Sequence, residues 1–126
     1  MKFVCLGYYD ESRWDALPQA QQQSLIAECI AFDRELHSKG HFAAGFALQR
    51  ADSAKTLRWT DGKTTSTDGP FAETKELLGG VLILEAKDRE EAVALMRRHP
   101  GLRIGPFEVR PMDEQFMSQH PVLKNQ

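Results

Sequence analysis

The chain has 126 residues, a formal net charge of -2 and a pI near 6.1. That length suggests one domain with a core that needs no staples, and the near-balanced charge lacks the clustered basic face that nucleic acid would call for. No stretch approaches the roughly 18 apolar residues that span a bilayer.

The opening Met1-Lys-Phe-Val-Cys-Leu-Gly is interrupted at once by Tyr8-Tyr-Asp-Glu. It is too short and too soon charged for a signal peptide, so a cytoplasmic location is expected. Cys5 and Cys29 both lie among apolar residues, with no Cys-x-x-Cys spacing. They are expected to be buried free thiols.

Residues 3–9 read as a strand with apolar residues on both faces, the mark of a place inside a sheet. Pro18 precedes a helical pattern over 19–39, in which Leu25, Cys29, Phe32 and Leu36 share a face, with Ile26 and Ile30 beside them. Gly40 suits the position after a helix end. Residues 41–48 and 54–59 read as strands. Asp61-Gly62 is a hairpin turn signal, and 64–67 returns as a short fourth strand. Residues 80–86 form a strand, again apolar on both faces. Asp88, with Glu91 three residues on, is expected to cap a helix that Arg97, Arg98 and His99 close and Pro100 stops. A last strand is expected over 104–112, with Phe107 and Val109 on one face and Glu108 and Arg110 on the other. The domain is expected to cover 1–113, and the polar tail 114–126 is expected to fray.

The order β-α-β, hairpin, β-α-β is the ferredoxin-like plan, an α+β fold with two helices on one face of an antiparallel sheet. Two helices cover one face only, yet Phe3 to Tyr8 and Val81 to Leu84 are apolar on both. A second copy of the sheet is the simplest cover, so a homodimer is expected.

The most informative stretch is Asp68-Gly-Pro-Phe-Ala-Glu-Thr-Lys-Glu, followed by Gly79-Gly80. It resembles the hallmark of the DGPF-domain proteins of the YCII-related superfamily. The opening residues, the Gly40 helix end and Gly105-Pro-Phe-Glu-Val-Arg-Pro resemble the same family. The resemblance implies a dimeric α+β barrel, which agrees with the periodicity. It also implies association with sigma factors of the extracytoplasmic type in some members, and enzymatic activity in distant ones. In the broader superfamily a His early in the first helix and an Asp after the second strand form a dyad. Here the helix position falls near Cys29, and Asp52 is the nearest acidic equivalent, so the dyad is not carried over.

Asp68 is read either as a turn cap or as a general base, and Phe71 as a core plug. Glu73, Lys75 and Glu76 bring opposite charges close together. They are candidate substrate-binding groups if buried at a dimer mouth, and pins between subunits otherwise. His99 is either a helix end or a cavity acid/base. His37 and His41 are four apart, but Gly40 ends the helix between them, so they do not share the helix face a metal site would use, and His120 lies far off in the tail. Arg58 and Trp59 could form a cation–π pair, and Trp14 could cap a pocket at the sheet end. No phosphate-binding, dinucleotide-binding or nucleophile-elbow motif occurs, so no cofactor is expected. The leading function is a homodimeric binding or regulatory module holding a small molecule or docking a sigma factor. The alternative is a small lyase or isomerase acting on a polar organic acid or phenol, with Asp68 or His99 as acid/base and Lys75 as an anion anchor. A purely structural dimer is the third reading.

Overall fold

The computed structural model describes residues 1–126. Strand β1 (Lys2–Asp10) leads into a short helix α1 (Glu11–Ala16) and the long helix α2 (Gln19–Ser38). Strands β2 (Phe42–Ala47), β3 (Lys55–Thr60), β4 (Lys63–Asp68) and β5 (Glu76–Glu85) follow. Helix α3 (Arg89–Met96), strand β6 (Phe107–Pro111) and helix α4 (Glu114–Gln119) complete the chain. The main sheet has the order β2-β5-β1-β6, all antiparallel, and β3-β4 stand as a separate two-stranded sheet. This is the expected ferredoxin-like arrangement.

The core forms where the C-terminal half of α2 meets the sheet. Phe32 and Leu36, one turn apart on α2, pack with Phe3 and Cys5 of β1, Leu82 and Leu84 of β5, and Ala92 and Met96 of α3. Gly40 follows α2 at φ +80, the left-handed conformation that glycine adopts freely. Asp61 and Gly62 have φ +51 and +79, the two positive values of a type I′ hairpin turn.

The opposite face of the sheet has no cover within the chain. Register puts Val4 beside Ile83, and Leu6 beside Val81. Ala44 and Phe46 of β2 continue these two rows. At the other edge the rows meet Arg110 and Glu108, which pair with each other. Phe46 is 61% exposed.

Four details depart from the pattern. Residues 11–16 form a helix because the Asp10 carboxylate accepts hydrogen bonds from the N–H groups of Ser12 and Arg13. Strand β5 begins at Glu76, so Gly79-Gly80 lies inside it; a register shift opposite Gly7 and Tyr8 absorbs the extra residue. Phe71 is not a core plug: it is 75% exposed, with the Arg58 guanidinium 5.1 Å from its ring centre. The tail is helical from Glu114, capped by the Asp113 carboxylate accepting from the Phe116 N–H.

Gly105 is buried, and a Cβ there would collide with the Tyr8 carbonyl. Gly105→Ala is therefore expected to lower unfolding free energy by about 3 kcal/mol. Urea denaturation checks this; a loss under about 1 kcal/mol would show that the loop relaxes freely.

Candidate functional site

One row of the main sheet is nearly bare of side chains. Gly7 of β1 pairs with Gly80 of β5, which pairs with Ala47 of β2. All three face the helices, because Cys5 and Leu82, two residues away along β1 and β5, are buried under α2. At the far end Phe107 of β6 pairs with Gly7, and its ring leans over it: a Cβ on Gly7 would sit 2.7 Å from that ring. Phe42 leans over Gly45 in the same way. The result is a cavity of about 760 Å³ between the sheet and α2, a size suited to a small ligand.

Helix α2 supplies the roof with one stripe, Ile26, Cys29 and Asp33, at helical spacing. Its neighbouring stripe, Phe32 and Leu36, belongs to the core. Trp14 of α1 also lines the cavity. Four of the lining groups are titratable and shifted toward their neutral forms; burial first, then the nearby Glu11 carboxylate, pushes the Tyr9 hydroxyl up. Burial pushes the Asp33 carboxyl up, and burial together with Asp33 pushes the Cys29 thiol up. Burial pushes His99 down to about 4.

His99 reaches the cavity because Pro100 follows it. The residue before proline prefers extended backbone, and His99 has φ -66 and ψ 124. Helix α3 therefore ends at Met96 rather than at His99, and the imidazole turns inward against Phe107 at 4.5 Å and Phe32 at 5.2 Å between ring centres. Its Nδ1 accepts the Gly101 N–H at 2.9 Å. The neutral ring consequently carries its proton on Nε2.

Of the five residues singled out in the sequence, His99 alone lines this cavity. Asp68 ends β4, with its side chain 84% exposed, and pairs with Lys55 at 2.8 Å. Glu73 and Lys75 are exposed in the loop before β5 and form no ion pair with each other. Glu76 opens β5 opposite Asp10. The charged motif and the cavity are thus separate parts of one subunit. Asp33 and Ile26 were not singled out as site residues. Their signal was the i,i+7 spacing on the border of an apolar helix face, which also fits ordinary packing. Cys29, near which the family resemblance put the helix position of the dyad, does lie in the cavity, whereas Asp52 is exposed in a turn after β2.

An antiparallel sheet backed by helices on one face, with a ligand-sized cavity between, defines an α+β protein of the ferredoxin-like class. The chain belongs to the YCII-related family: the model of the YCII-related domain matches residues 1–114. An uncharacterised protein of Rhizobium meliloti (strain 1021) is 32% identical over 114 residues, covering 89% of this chain and 92% of that one. Among solved structures, 5-chloro-2-hydroxyhydroquinone dehydrochlorinase of Burkholderia phenoliruptrix AC1100, in complex with 2,5-dihydroxybenzoquinone, has the same fold. It superposes with a TM-score of 0.53 at 16% identity, covering 90% of this chain and 95% of that one. No helix is long and apolar enough to cross a membrane.

The shift of His99 makes stability pH-dependent. Its folded pKa of about 4 lies below the ordinary 6.5, so between those values the unfolded chain binds the extra proton. Stability should then fall as pH drops from 6.5 toward 4, by up to about 3 kcal/mol. Asp33, raised above 3.8, acts with the opposite sign: its contribution is present below that value and fades as pH rises through its folded pKa. His99→Asn keeps an acceptor for the Gly101 N–H and removes the titration. Urea melts between pH 4 and 7 should show a flatter profile for the variant; an unchanged profile would mean the imidazole is not the group responsible.

Proposed function

We propose that the protein is a homodimer that holds a small molecule in the cavity between α2 and the sheet. The single observation that carries this reading is the bare row Gly7–Gly80–Ala47, with His99, Cys29 and Asp33 facing the space it leaves. A core row needs filling, and a row left open costs dispersion contacts. Shifted titratable groups gathered at such a cavity are the usual sign of a working site. Subunit pairing is supported by the uncovered rows of Val4, Leu6, Val81 and Ile83. A two-fold axis over that face would let the Glu108–Arg110 pair of each subunit border the other. The proposal extends to a regulatory use, in which the loaded dimer docks a sigma factor of the extracytoplasmic type; this extension rests on the family resemblance alone.

A second reading is favoured by the four groups biased toward neutral forms. A buried imidazole and a carboxyl with a raised pKa, lining one cavity, are candidate proton-transfer groups. On this reading the protein is a small lyase or isomerase, with His99 moving the proton and Asp33 as its complement. The dehydrochlorinase named above, a protein of the same fold, makes a lyase-type reaction compatible with the scaffold.

Two measurements test the proposal. Sedimentation should give twice the chain mass for the native protein and a single chain mass for Ile83→Lys or Val4→Lys, which bury a charge in the pairing face. Native protein that sediments as one chain would remove the dimer. Amide chemical-shift mapping with a fragment set should move Gly80, Gly101 and Cys29. Shifts confined to Asp68–Lys75 would move the site to the charged turn. If a fragment is turned over, His99→Asn should lower kcat by about 100-fold or more; turnover unchanged by that variant would leave the binding reading alone.

A further inference from the structure

We infer that the cavity takes a flat, uncharged ring bearing at least one hydroxyl or amino substituent, a phenol being the simplest case. This rests on the cavity being the binding site and names the ligand class that its chemistry selects.

Shape is the first argument. The floor is main chain across three adjacent strands, at Gly7, Gly80 and Ala47. At Gly80 and Ala47 nothing longer than a methyl group rises from it, and the Phe107 ring closes it off over Gly7. The roof is one helical stripe. Phe42 and Phe107 are each laid down over a glycine, and Trp14 is also at the cavity. A planar main-chain floor between aromatic walls accepts a ring by stacking and edge contacts. A puckered aliphatic ring gains less from the same walls.

Charge is the second argument. No Lys or Arg lines the cavity. The two nearby arginines are engaged elsewhere. Arg50 holds both carboxylate oxygens of Asp15, at 3.0 and 2.9 Å. Arg103 pairs with Glu28 at 2.7 Å. A carboxylate or phosphate entering the cavity would lose its hydration, find no counter-ion, and face Asp33. The expectation that a polar organic acid would be anchored by Lys75 does not fit this space, since Lys75 lies outside it.

The polar handles are the third argument. With Nδ1 occupied by the Gly101 N–H, His99 offers an Nε2–H. Asp33 offers a carboxyl from the roof. A ring hydroxyl both donates and accepts, so it can satisfy either. An unsubstituted hydrocarbon ring would leave both without partners.

Calorimetric titration with phenol, hydroquinone, benzoate, benzylamine and cyclohexanol tests the inference on the native dimer and two variants. Ala47→Leu extends a side chain over the floor from the edge strand. Gly80→Ala adds one methyl at its centre, where a Cβ would sit 3.3 Å from the Phe46 carbonyl oxygen. Phenol and hydroquinone should bind saturably, and the other three at least about tenfold more weakly. Ala47→Leu should weaken phenol by about tenfold while keeping its native circular dichroism, and Gly80→Ala should weaken it less. Benzoate, benzylamine or cyclohexanol matching phenol would overturn the ligand class and leave the cavity reading intact. Phenol binding that neither variant alters would overturn the placement over the glycine floor. If none of the five compounds binds, the inference falls; amide shifts produced by other fragments at Gly80 would then still support the cavity itself.

Discussion

Helix α2 grips the sheet with its C-terminal half and stands off it beside the glycine row. The grip is the contact of Phe32 and Leu36 with Phe3, Leu82 and Leu84, all 6% exposed or less. Burying a side chain of that size stabilises by roughly 1.5–3 kcal/mol, so this patch fixes both the height and the direction of the helix. Once α2 is held there, the stripe of Ile26, Cys29 and Asp33 cannot fall onto the sheet. The bare row beneath it becomes a cavity rather than a collapsed gap. Phe107 and His99 brace the other side, ring against ring.

That geometry also explains the electrostatics. Asp33, Cys29 and His99 lie on opposite sides of one low-dielectric space, and burial moves each toward its uncharged form. These shifts come mainly from burial rather than from ion pairs. The ion pairs of the protein lie on its surface: Arg50 with Asp15, Arg98 with Glu35, Arg103 with Glu28, Lys55 with Asp68. Such exposed pairs contribute little individually.

Much of the fold was legible in the sequence, because long elements carry strong periodicity. The apolar face of α2, the two-sided apolar strands and the Asp61-Gly62 turn all follow from spacing and turn chemistry. The breaks came where one local hydrogen bond outweighed pattern. Asp10 caps a six-residue helix without apolar periodicity, and Pro100 turns His99 inward. The site was less legible. The charge-rich turn drew attention because it is unusual in composition, yet Asp68 ends in a surface pair with Lys55. The cavity is made of absences, at Gly7 and Gly80, which reveal themselves only when register aligns them across strands. Glycines paired with aromatic neighbours, such as Gly7 with Phe107, would have been the signal, but pairing is not visible in a single chain of letters.

A floor built from main chain has a further consequence for how the cavity meets a ligand. Gly7 and Gly80 have no rotamers, and Ala47 has none that matter. The floor is tied down by the ladder between β1, β5 and β2, so the ligand proposed above would find it already in place. Any ordering on binding falls on the walls and roof, where Trp14 and Ile26 have side-chain freedom to lose. On the binding reading proposed above, affinity would depend less on what the floor contributes than on how little it has to rearrange.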